Sequence, residues 1–148
     1  MILRIAVLGA VLLASSAIAD NEAERAKLMG SWRLLDGGKD APGWAFQDKG
    51  GTLHVVNFIG ERILTEFDCD TLGHDCVTKD GGRPATVSLW FAGAKLVEME
   101  TRGTSVWKRT FGIAADGDTM DLEMAQIAPP SKTETQHFKR TPAGAGTH

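Results

Sequence analysis

The stretch ATVSLWFAGAKLVEMETRGTSVWKRTFGIAADGDTMDLEMAQI, residues 85–127, decides the fold. It contains apolar runs separated by the turn signals AGA, RGT and DGD, and in the first run Val87, Leu89 and Phe91 share one face while Thr86 and Ser88 share the other. Alternation with a period of two is typical of a strand with one dry face and one solvated face. Because turns this short cannot hold a crossover, consecutive strands must pair antiparallel. The stretch therefore predicts four meander strands, at 85–91, 95–101, 105–113 and 119–127.

The rest of the chain extends this meander on both sides. A short amphipathic pattern before Gly30 predicts a helix within 20–29. The predicted long loops are 36–51 and 68–84, and four further strands are predicted at 32–35, 52–58, 62–67 and 133–140. The fold class is therefore all-β: an eight-stranded antiparallel up-and-down barrel, which removes exposed strand edges by closure, with a short N-terminal helix. We expect a single β-barrel domain at 20–140 and a flexible tail at 141–148.

Residues 1–19 have the layout of a cleavable signal peptide. Arg4 precedes an apolar run of nine residues, and Ala17-Ile18-Ala19 forms a small-x-small cleavage site before Asp20. The run is too short to span a bilayer, so we expect a soluble periplasmic or secreted protein with no membrane span. Removal of residues 1–19 leaves fifteen basic and nineteen acidic residues, a net charge of −4. Dispersed bases and a negative charge argue against a nucleic acid partner.

The two cysteines, Cys69 and Cys76, are predicted to form a structural disulfide, because an exported protein meets an oxidising compartment. A redox-active pair usually has the spacing Cys-x-x-Cys, which this pair lacks. The same loop could offer a metal ligands from Asp70, His74 and Asp75, but it does not match the calcium-loop spacing. We therefore expect no metal site.

The start and end of the domain resemble a lipocalin-like, or more broadly calycin, barrel. The resemblance rests on Gly30-Ser31-Trp32 at the first strand, a large first connection, the meander, and Arg140 on the last strand. It implies that Trp32 packs across the closed end of the barrel with Arg140 over its ring, or Lys139 if the register differs by one. The short chain is most similar to small exported bacterial domains of this type. Its first half, with Leu28-x-Gly30-x-Trp32, also resembles periplasmic inhibitors of secreted metalloproteases.

An eight-stranded barrel is wide enough either to be filled by side chains or to hold one small ligand. Residues 36–51 could form a lid through Trp44 and Phe46, or these rings could simply tuck against the surface. The sequence leaves a packed core and a ligand cavity equally open. The predicted inward-facing residues, which would line a cavity, are Val55, Val87, Leu89, Phe91, Val97, Met99, Met120, Leu122, Met124 and Phe138.

The remaining polar and aromatic residues are read as surface features. Glu98 and Glu100 alternate on the predicted solvated face, and Trp90 or Trp107 on an outward face could mark a partner-binding patch. His54 or His137 could ligate haem in a barrel interior, although a solvent-facing histidine is far more common. We expect no cofactor.

The chain carries no recognisable catalytic motif, so an enzyme is not favoured. The sequence predicts an exported protein that binds a small apolar or amphipathic molecule in the cell envelope. The alternative is a protein-binding module such as an inhibitor of a secreted protease.

Overall fold

The computed structural model describes residues 22–142, so the predicted signal peptide and most of the predicted tail lie outside the described residues. Residues 22–26 form a helical turn, and a short 3-10 helix spans Gly38–Asp40. The strands are β1 (Gly30–Leu34), β2 (Pro42–Asp48), β3 (Thr52–Ile59), β4 (Arg62–Asp70), β5 (Cys76–Asp80), β6 (Arg83–Ala92), β7 (Lys95–Arg102), β8 (Ser105–Ile113), β9 (Thr119–Ala128) and β10 (Glu134–Arg140). Within this range, no helix is long and apolar enough to cross a membrane.

The strands form one antiparallel sheet in the order β4-β3-β2-β1-β10-β9-β8-β7-β6-β5. Each strand pairs with its neighbours in sequence except β4 and β5, which form no backbone ladder, and β1 also pairs with β10, which rolls the sheet into a nearly closed up-and-down barrel. The predicted all-β fold class with a short N-terminal helix is confirmed. The barrel has two ends, which we call the helix end, beside residues 22–26, and the open end, which carries the β1–β2, β3–β4, β5–β6, β7–β8 and β9–β10 connections.

The prediction of eight strands was wrong, because both long loops contain a strand. In β2, Trp44 and Phe46 point inward, but Gly43 and Pro42 obscure their alternation in the sequence. Gly43 is required there because a Cβ atom would lie 2.3 Å from the ring of Phe58. In β5, the inward residues are Cys76, Thr78 and Asp80, which give no apolar signal. Pairing with a neighbour defines both strands more strongly than their own sequences do.

The sheet has a seam between β4 and β5, where side chains replace a continuous backbone ladder. The predicted disulfide is confirmed, and it joins Cys69 in β4 to Cys76 in β5 across a Cα–Cα distance of 5.8 Å, so the two cysteines lie in strands and not in a loop as predicted. Further along the seam, Thr78 Oγ1 donates to the Glu66 carbonyl at 3.3 Å and Gly81 N donates to the Leu64 carbonyl at 3.1 Å. The disulfide and these bonds hold the two strands side by side.

The helix end is closed around Trp32, which is fully buried. Its indole Nε1 donates to the Leu28 carbonyl at 2.9 Å, and the Arg140 guanidinium lies 4.2 Å from its ring centroid. Arg140 also donates to the Met29 carbonyl at 2.7 Å, which ties the last strand to the segment before the first. Gly30 has φ +118°, and a Cβ atom there would lie 2.8 Å from Arg140 Nη1, so glycine is needed on both counts. These contacts form a plug at one end of the barrel.

Candidate functional site

The inner face of β7 consists of Leu96, Glu98 and Glu100, so the predicted register of this strand was wrong by one residue. Leu96 is fully buried, and the two glutamates are only 2% and 3% exposed. Val97 and Met99 lie on the outer face, opposite Trp90 and Ser88 of β6. The run Leu96-Val97-Glu98-Met99 offers an apolar residue on either face, so alternation alone favours the wrong one. The partner residues on β8 decide the orientation, since Leu96 pairs with Phe111 and Glu98 with Arg109.

The two buried glutamates share one arginine, and we call this group the Glu98–Arg109–Glu100 cluster. Arg109 Nη1 donates to Glu98 Oε1 at 2.6 Å and to Glu100 Oε2 at 3.4 Å. Only 16% of the Arg109 side chain is exposed, and its Nε is buried without a hydrogen-bond partner among the described residues. Burial of a charged group inside an apolar barrel lowers the stability of the fold unless the charge is paired. The pairing in this cluster offsets part of that loss of stability.

Burial sets the protonation behaviour of the cluster. Desolvation raises the pKa of Glu98, against the opposing attraction of Arg109. Desolvation also raises the pKa of Glu100, to about 7, and the negative charges of Asp80 and Glu98 add to this effect. Burial by itself would lower the pKa of Arg109, but the two carboxylates outweigh it and raise that pKa. Glu100 is therefore poised to exchange a proton near neutral pH.

A second polar group continues from the cluster to the seam. Arg102 Nη1 lies 3.2 Å from Asp80 Oδ2, and Thr65 Oγ1 donates to Asp80 Oδ1 at 3.3 Å. The Asp80 side chain is 20% exposed and that of Arg102 is 38% exposed, so this group reaches solvent at the open end. Charged side chains thus run from the middle of the barrel to its open end.

Trp44 and Phe46, predicted as a lid, are instead buried on the inner face of β2. Trp44 meets the edge of Phe111 with centroids 4.9 Å apart, and Phe46 meets the same ring at 5.1 Å. The Arg109 guanidinium lies 5.5 Å from the Trp44 ring centroid. Trp44 therefore lies against the Arg109 guanidinium of the cluster, and Trp44 and Phe46 are core residues that do not form a lid.

Most of the other predicted lining residues are packed against each other. Six face inward and are at most 1% exposed, which fills the middle and the helix end of the barrel: Val55, Val87, Leu89, Met120, Leu122 and Phe138. Phe91 and Met124 are only partly buried against this core. The interior is thus packed over much of its length, and any ligand space must lie toward the ends.

Inward-facing side chains at the open end keep partial exposure to solvent. Trp107, which was predicted on an outward face, lies on the inner face opposite Glu100, and Met124 lies opposite Arg109. We call the half-buried inward residues at this end the open-end cup, and they are Leu34, Trp107, Met124, Gln126 and Gln136. Its floor is the Glu98–Arg109–Glu100 cluster.

Exposed apolar side chains lie beside the connections at the open end. They are Leu35 (42%), Ile59 (37%), Ile63 (43%) and Ile127 (48%). The inner surface at this end combines the mixed wall of the cup with a charged floor.

A cleft of about 360 Å³ lies at the helix end, between the helical turn and the barrel wall. Met29, Leu53 and Phe91 contribute apolar lining, and Glu22 and Asp48 contribute carboxylates. The Arg25 guanidinium covers the Phe91 ring at 4.6 Å and donates to the Gly93 carbonyl at 2.8 Å. Next to Phe91 on the inner face, Leu96 and Leu89 are fully buried, and Leu89 pairs with Glu98 of the cluster.

His54 and His137 lie on the outer face of the barrel, which overturns the haem alternative for these two residues. His54 contacts Asp68 at 2.7 Å and Glu66 at 3.2 Å, and His137 contacts Asp121 at 2.6 Å, all on the outer face. Asp70 accepts hydrogen bonds from Leu72 N at 2.8 Å and from His74 Nδ1 at 3.0 Å. Across residues 22–142, no three histidine, cysteine or acidic side chains gather as a metal site.

The raised pKa of Glu100 predicts that stability falls as pH rises. In the unfolded chain this carboxyl has its ordinary pKa near 4.5, while in the folded protein the pKa is about 7. The folded state therefore holds the proton more tightly, and this contribution is fully present below pH 4.5 and lost as pH rises through about 7. Urea unfolding from pH 5 to pH 8 should show the wild type losing stability relative to Glu100→Gln, which mimics the protonated acid.

The matched control for this measurement is Glu123→Gln, which changes an exposed glutamate on the outer face of β9. Its unfolding free energy should follow that of the wild type at every pH. Parallel curves for the wild type and Glu100→Gln would show that Glu100 titrates equally in the folded and unfolded chains.

Comparison with known proteins identifies the fold. No protein-family profile and no curated protein matches this sequence. Among solved structures, the fatty acid binding protein of Schistosoma mansoni in complex with arachidonic acid has a TM-score of 0.66 at 14% identity, covering 80% of this chain and 99% of that one. A secretory abundant heat soluble protein from Ramazzottius varieornatus has a TM-score of 0.65 at 12% identity, with 78% and 96% covered. Lipid binding protein 8 of Caenorhabditis elegans has a TM-score of 0.63 at 10% identity, with the same coverage. The shared feature is a calycin-like antiparallel barrel.

Proposed function

We propose that this chain is an exported binding protein that takes one small apolar or amphipathic molecule into the open end of its barrel. The observation that carries the proposal is the contrast between the two ends. Met120 and Phe138, which face inward near the helix end, are sealed from solvent, while Trp107 and Met124 of the open-end cup remain partly exposed. Inward side chains that remain accessible to solvent at one end of a barrel are typical of a concave binding site.

The polarity of the open end suits an amphipathic molecule. The apolar residues of the open-end cup, Leu34, Trp107 and Met124, can cover the apolar part of a ligand, and burial of apolar area contributes about 25 cal/mol for each Å² removed from water. The floor supplies charged groups for a polar head. A ligand with both characters would satisfy the wall and the floor of the cup together.

Structural neighbours support a ligand of this kind. The Schistosoma protein is in complex with arachidonic acid, and the Caenorhabditis protein is a lipid binding protein. Both have the barrel described above. The arachidonic acid bound to the first and the name of the second support the general class of small lipid-like molecules for this chain, while the choice of head group depends on this chain's own residues.

Export is part of the proposal and rests on the sequence of residues 1–19 together with the disulfide. A signal peptide ending at Ala19 would deliver the chain to the cell envelope or beyond, as in the small exported bacterial barrels it resembles. The Cys69–Cys76 bond supports this location, because disulfides persist in oxidising compartments.

One experiment tests location and binding together. The full chain is expressed in cells, and the protein is recovered from the exported fraction. Native mass spectrometry should then give the mass of a chain that begins at Asp20. It should also show added mass from a bound molecule, which solvent extraction then releases. Protein that retains residues 1–19 in the cytosol contradicts export, whereas an exported protein that carries no small molecule and binds no apolar probe contradicts the binding proposal.

The site itself is tested with the neutral fluorescent probe N-phenyl-1-naphthylamine. Met124→Trp places a larger side chain in the open-end cup and should weaken probe binding by about tenfold or more. Glu123→Trp, on the outer face next to it, is the matched control and should leave binding unchanged. Ala26→Trp fills the cleft at the helix end. If only Ala26→Trp weakens binding, the ligand occupies that cleft and the open-end site is wrong.

A further inference from the structure

We infer that the outer face of strands β5–β8 docks on an anionic lipid surface. This face lies outside the barrel and is separate from the open-end cup, so the inference goes beyond the proposed function and does not depend on it. It follows from the division of charge between the two faces of these strands, from the unpaired amines on the outer face, and from the apolar side chains beside them.

Strands β5–β8 separate their charges by face. Residues 76–113, all of which the structure describes, contain six basic and three acidic residues, a net charge of +3. The three acidic side chains, those of Asp80, Glu98 and Glu100, all face inward. The outer face of these four strands therefore carries no carboxylate, and we call it the acid-free face.

Three lysines project from the acid-free face: Lys79 on β5, Lys95 on β7 and Lys108 on β8. All three are exposed, and none forms an ion pair with a carboxylate of residues 22–142. Three spacings of about 4.8 Å separate β5 from β8, so the amines stand on one side of the barrel. Because each amine is unpaired, it can meet an anion without losing an internal partner.

The rest of the chain has the opposite charge. In 20–148, the residues outside 76–113 comprise nine basic and sixteen acidic residues, a net charge of −7. Outward-facing carboxylates border the acid-free face on both sides, at Glu66 and Asp68 on β4 and at Glu123 on β9. The basic residues are dispersed along the sequence, and only the alternation of the strands gathers them on one face. A molecule with this distribution of charge turns one side toward an anionic surface.

Apolar side chains lie beside the lysines. Leu72 is 76% exposed and Val77 is 87% exposed. Leu72 pairs with Trp90 of β6, which is itself half-buried on the outer face. Lysine stems, a tryptophan and exposed aliphatic side chains next to one another are typical of a surface that lies at a lipid interface. They favour a lipid surface over a nucleic acid, because nucleic acid binding depends mainly on contacts between basic side chains and phosphates.

Vesicle sedimentation tests the inference. The purified protein is mixed at low salt with vesicles of phosphatidylcholine, or with vesicles of phosphatidylcholine and phosphatidylglycerol in equal amounts. We expect the partition coefficient to be about tenfold higher or more on the anionic vesicles, and added salt should lower it because salt screens exposed charges. Equal partition on the two kinds of vesicle overturns the inference.

Two lysine variants and a matched control locate the contact. Lys79→Gln and Lys108→Gln each remove one charge from the acid-free face and should each lower the partition coefficient on anionic vesicles by about fivefold. Lys139→Gln removes the same charge from an exposed position on β10, outside this face, and should change the coefficient by less than about twofold. If the three variants weaken binding equally, overall charge is responsible and the acid-free face is not the docking surface.

Leu72→Ser distinguishes a lipid surface from a soluble polyanion. The variant keeps every charge but loses an apolar side chain that a lipid surface would cover, so its partition coefficient on anionic vesicles should fall by about threefold or more. Unchanged partition of Leu72→Ser overturns the lipid assignment. Competition by a short DNA duplex would then identify a general polyanion as the partner.

Probe binding in the absence of vesicles keeps the two proposals apart. Binding of N-phenyl-1-naphthylamine to the open-end cup should be unchanged in Lys79→Gln, Lys108→Gln and Leu72→Ser, because these residues lie outside the barrel. A protein that binds the probe but shows no preference for anionic vesicles overturns the docking inference alone. A protein that docks on anionic vesicles but binds no probe overturns the proposed function alone.

Discussion

Replacement of Arg109 by methionine should lower the free energy of unfolding by about 3 to 5 kcal/mol at pH 8. The variant leaves the carboxylates of Glu98 and Glu100 buried without the guanidinium that now holds both. Acidification should restore much of the loss, because protonation removes the two unpaired charges. Urea unfolding followed by tryptophan fluorescence at pH 5 and pH 8 measures both effects.

Two further variants make this measurement specific. Lys108→Met alters the exposed neighbour on the same strand and should change stability by about 0.5 kcal/mol or less. The triple variant Glu98→Gln/Glu100→Gln/Arg109→Met removes every charge of the cluster and should recover a large part of the loss. If Arg109→Met and Lys108→Met are equally stable at pH 8, the cluster is not a buried ion pair in solution.

Replacement of Trp32 by alanine should cost about 3 to 5 kcal/mol. Its side chain is fully buried at the helix end, so the substitution leaves a large cavity beneath residues 22–26. The variant also loses the hydrogen bond from Nε1 to the Leu28 carbonyl and the ring that Arg140 covers. Trp32→Phe should cost less than the alanine variant, because an aromatic ring still fills most of the space.

Trp90 provides the comparison for this variant. It lies on the outer face of β6 and is only partly buried, so Trp90→Ala should cost less than half as much as Trp32→Ala. Thermal unfolding monitored by circular dichroism measures both. A smaller loss for Trp32→Ala than for Trp90→Ala would mean that the helix end is not the packed end of the barrel.

The fold was largely readable from the sequence because turns and alternation are local signals. Gly93, Gly103 and Gly117 each have positive φ in turns that join paired strands, and these turns fixed the central meander. Strand β2 was not predicted, because Pro42 and Gly43 belong to a pattern that normally indicates a loop. In the structure Gly43 makes room for the ring of Phe58, a long-range reason that no local pattern contains.

The site was less readable, because its orientation depends on pairing between strands. Counting back from the turn at Gly103 does place Glu98 opposite Arg109, and that signal was present in the sequence. The apolar side chains of Val97 and Met99 favour the opposite orientation of the strand, because charged residues are rarely buried. That stronger signal led to the wrong prediction. An acid opposite a base at equivalent positions of one hairpin is therefore a reason to consider both faces of a strand.

The seam between β4 and β5 has a consequence for how copies of this protein meet one another. Strand edges with unpaired backbone groups are natural templates for edge-to-edge association. Within residues 22–142, the two edge strands of the sheet are β4 and β5, and the Cys69–Cys76 bond holds them side by side, where each covers the edge that a second copy would pair with. Val77 is 87% exposed on β5, so this strand would offer another chain an apolar side chain if it were released. Reduction of the disulfide should therefore increase self-association of the protein, which size-exclusion chromatography with and without reductant would measure.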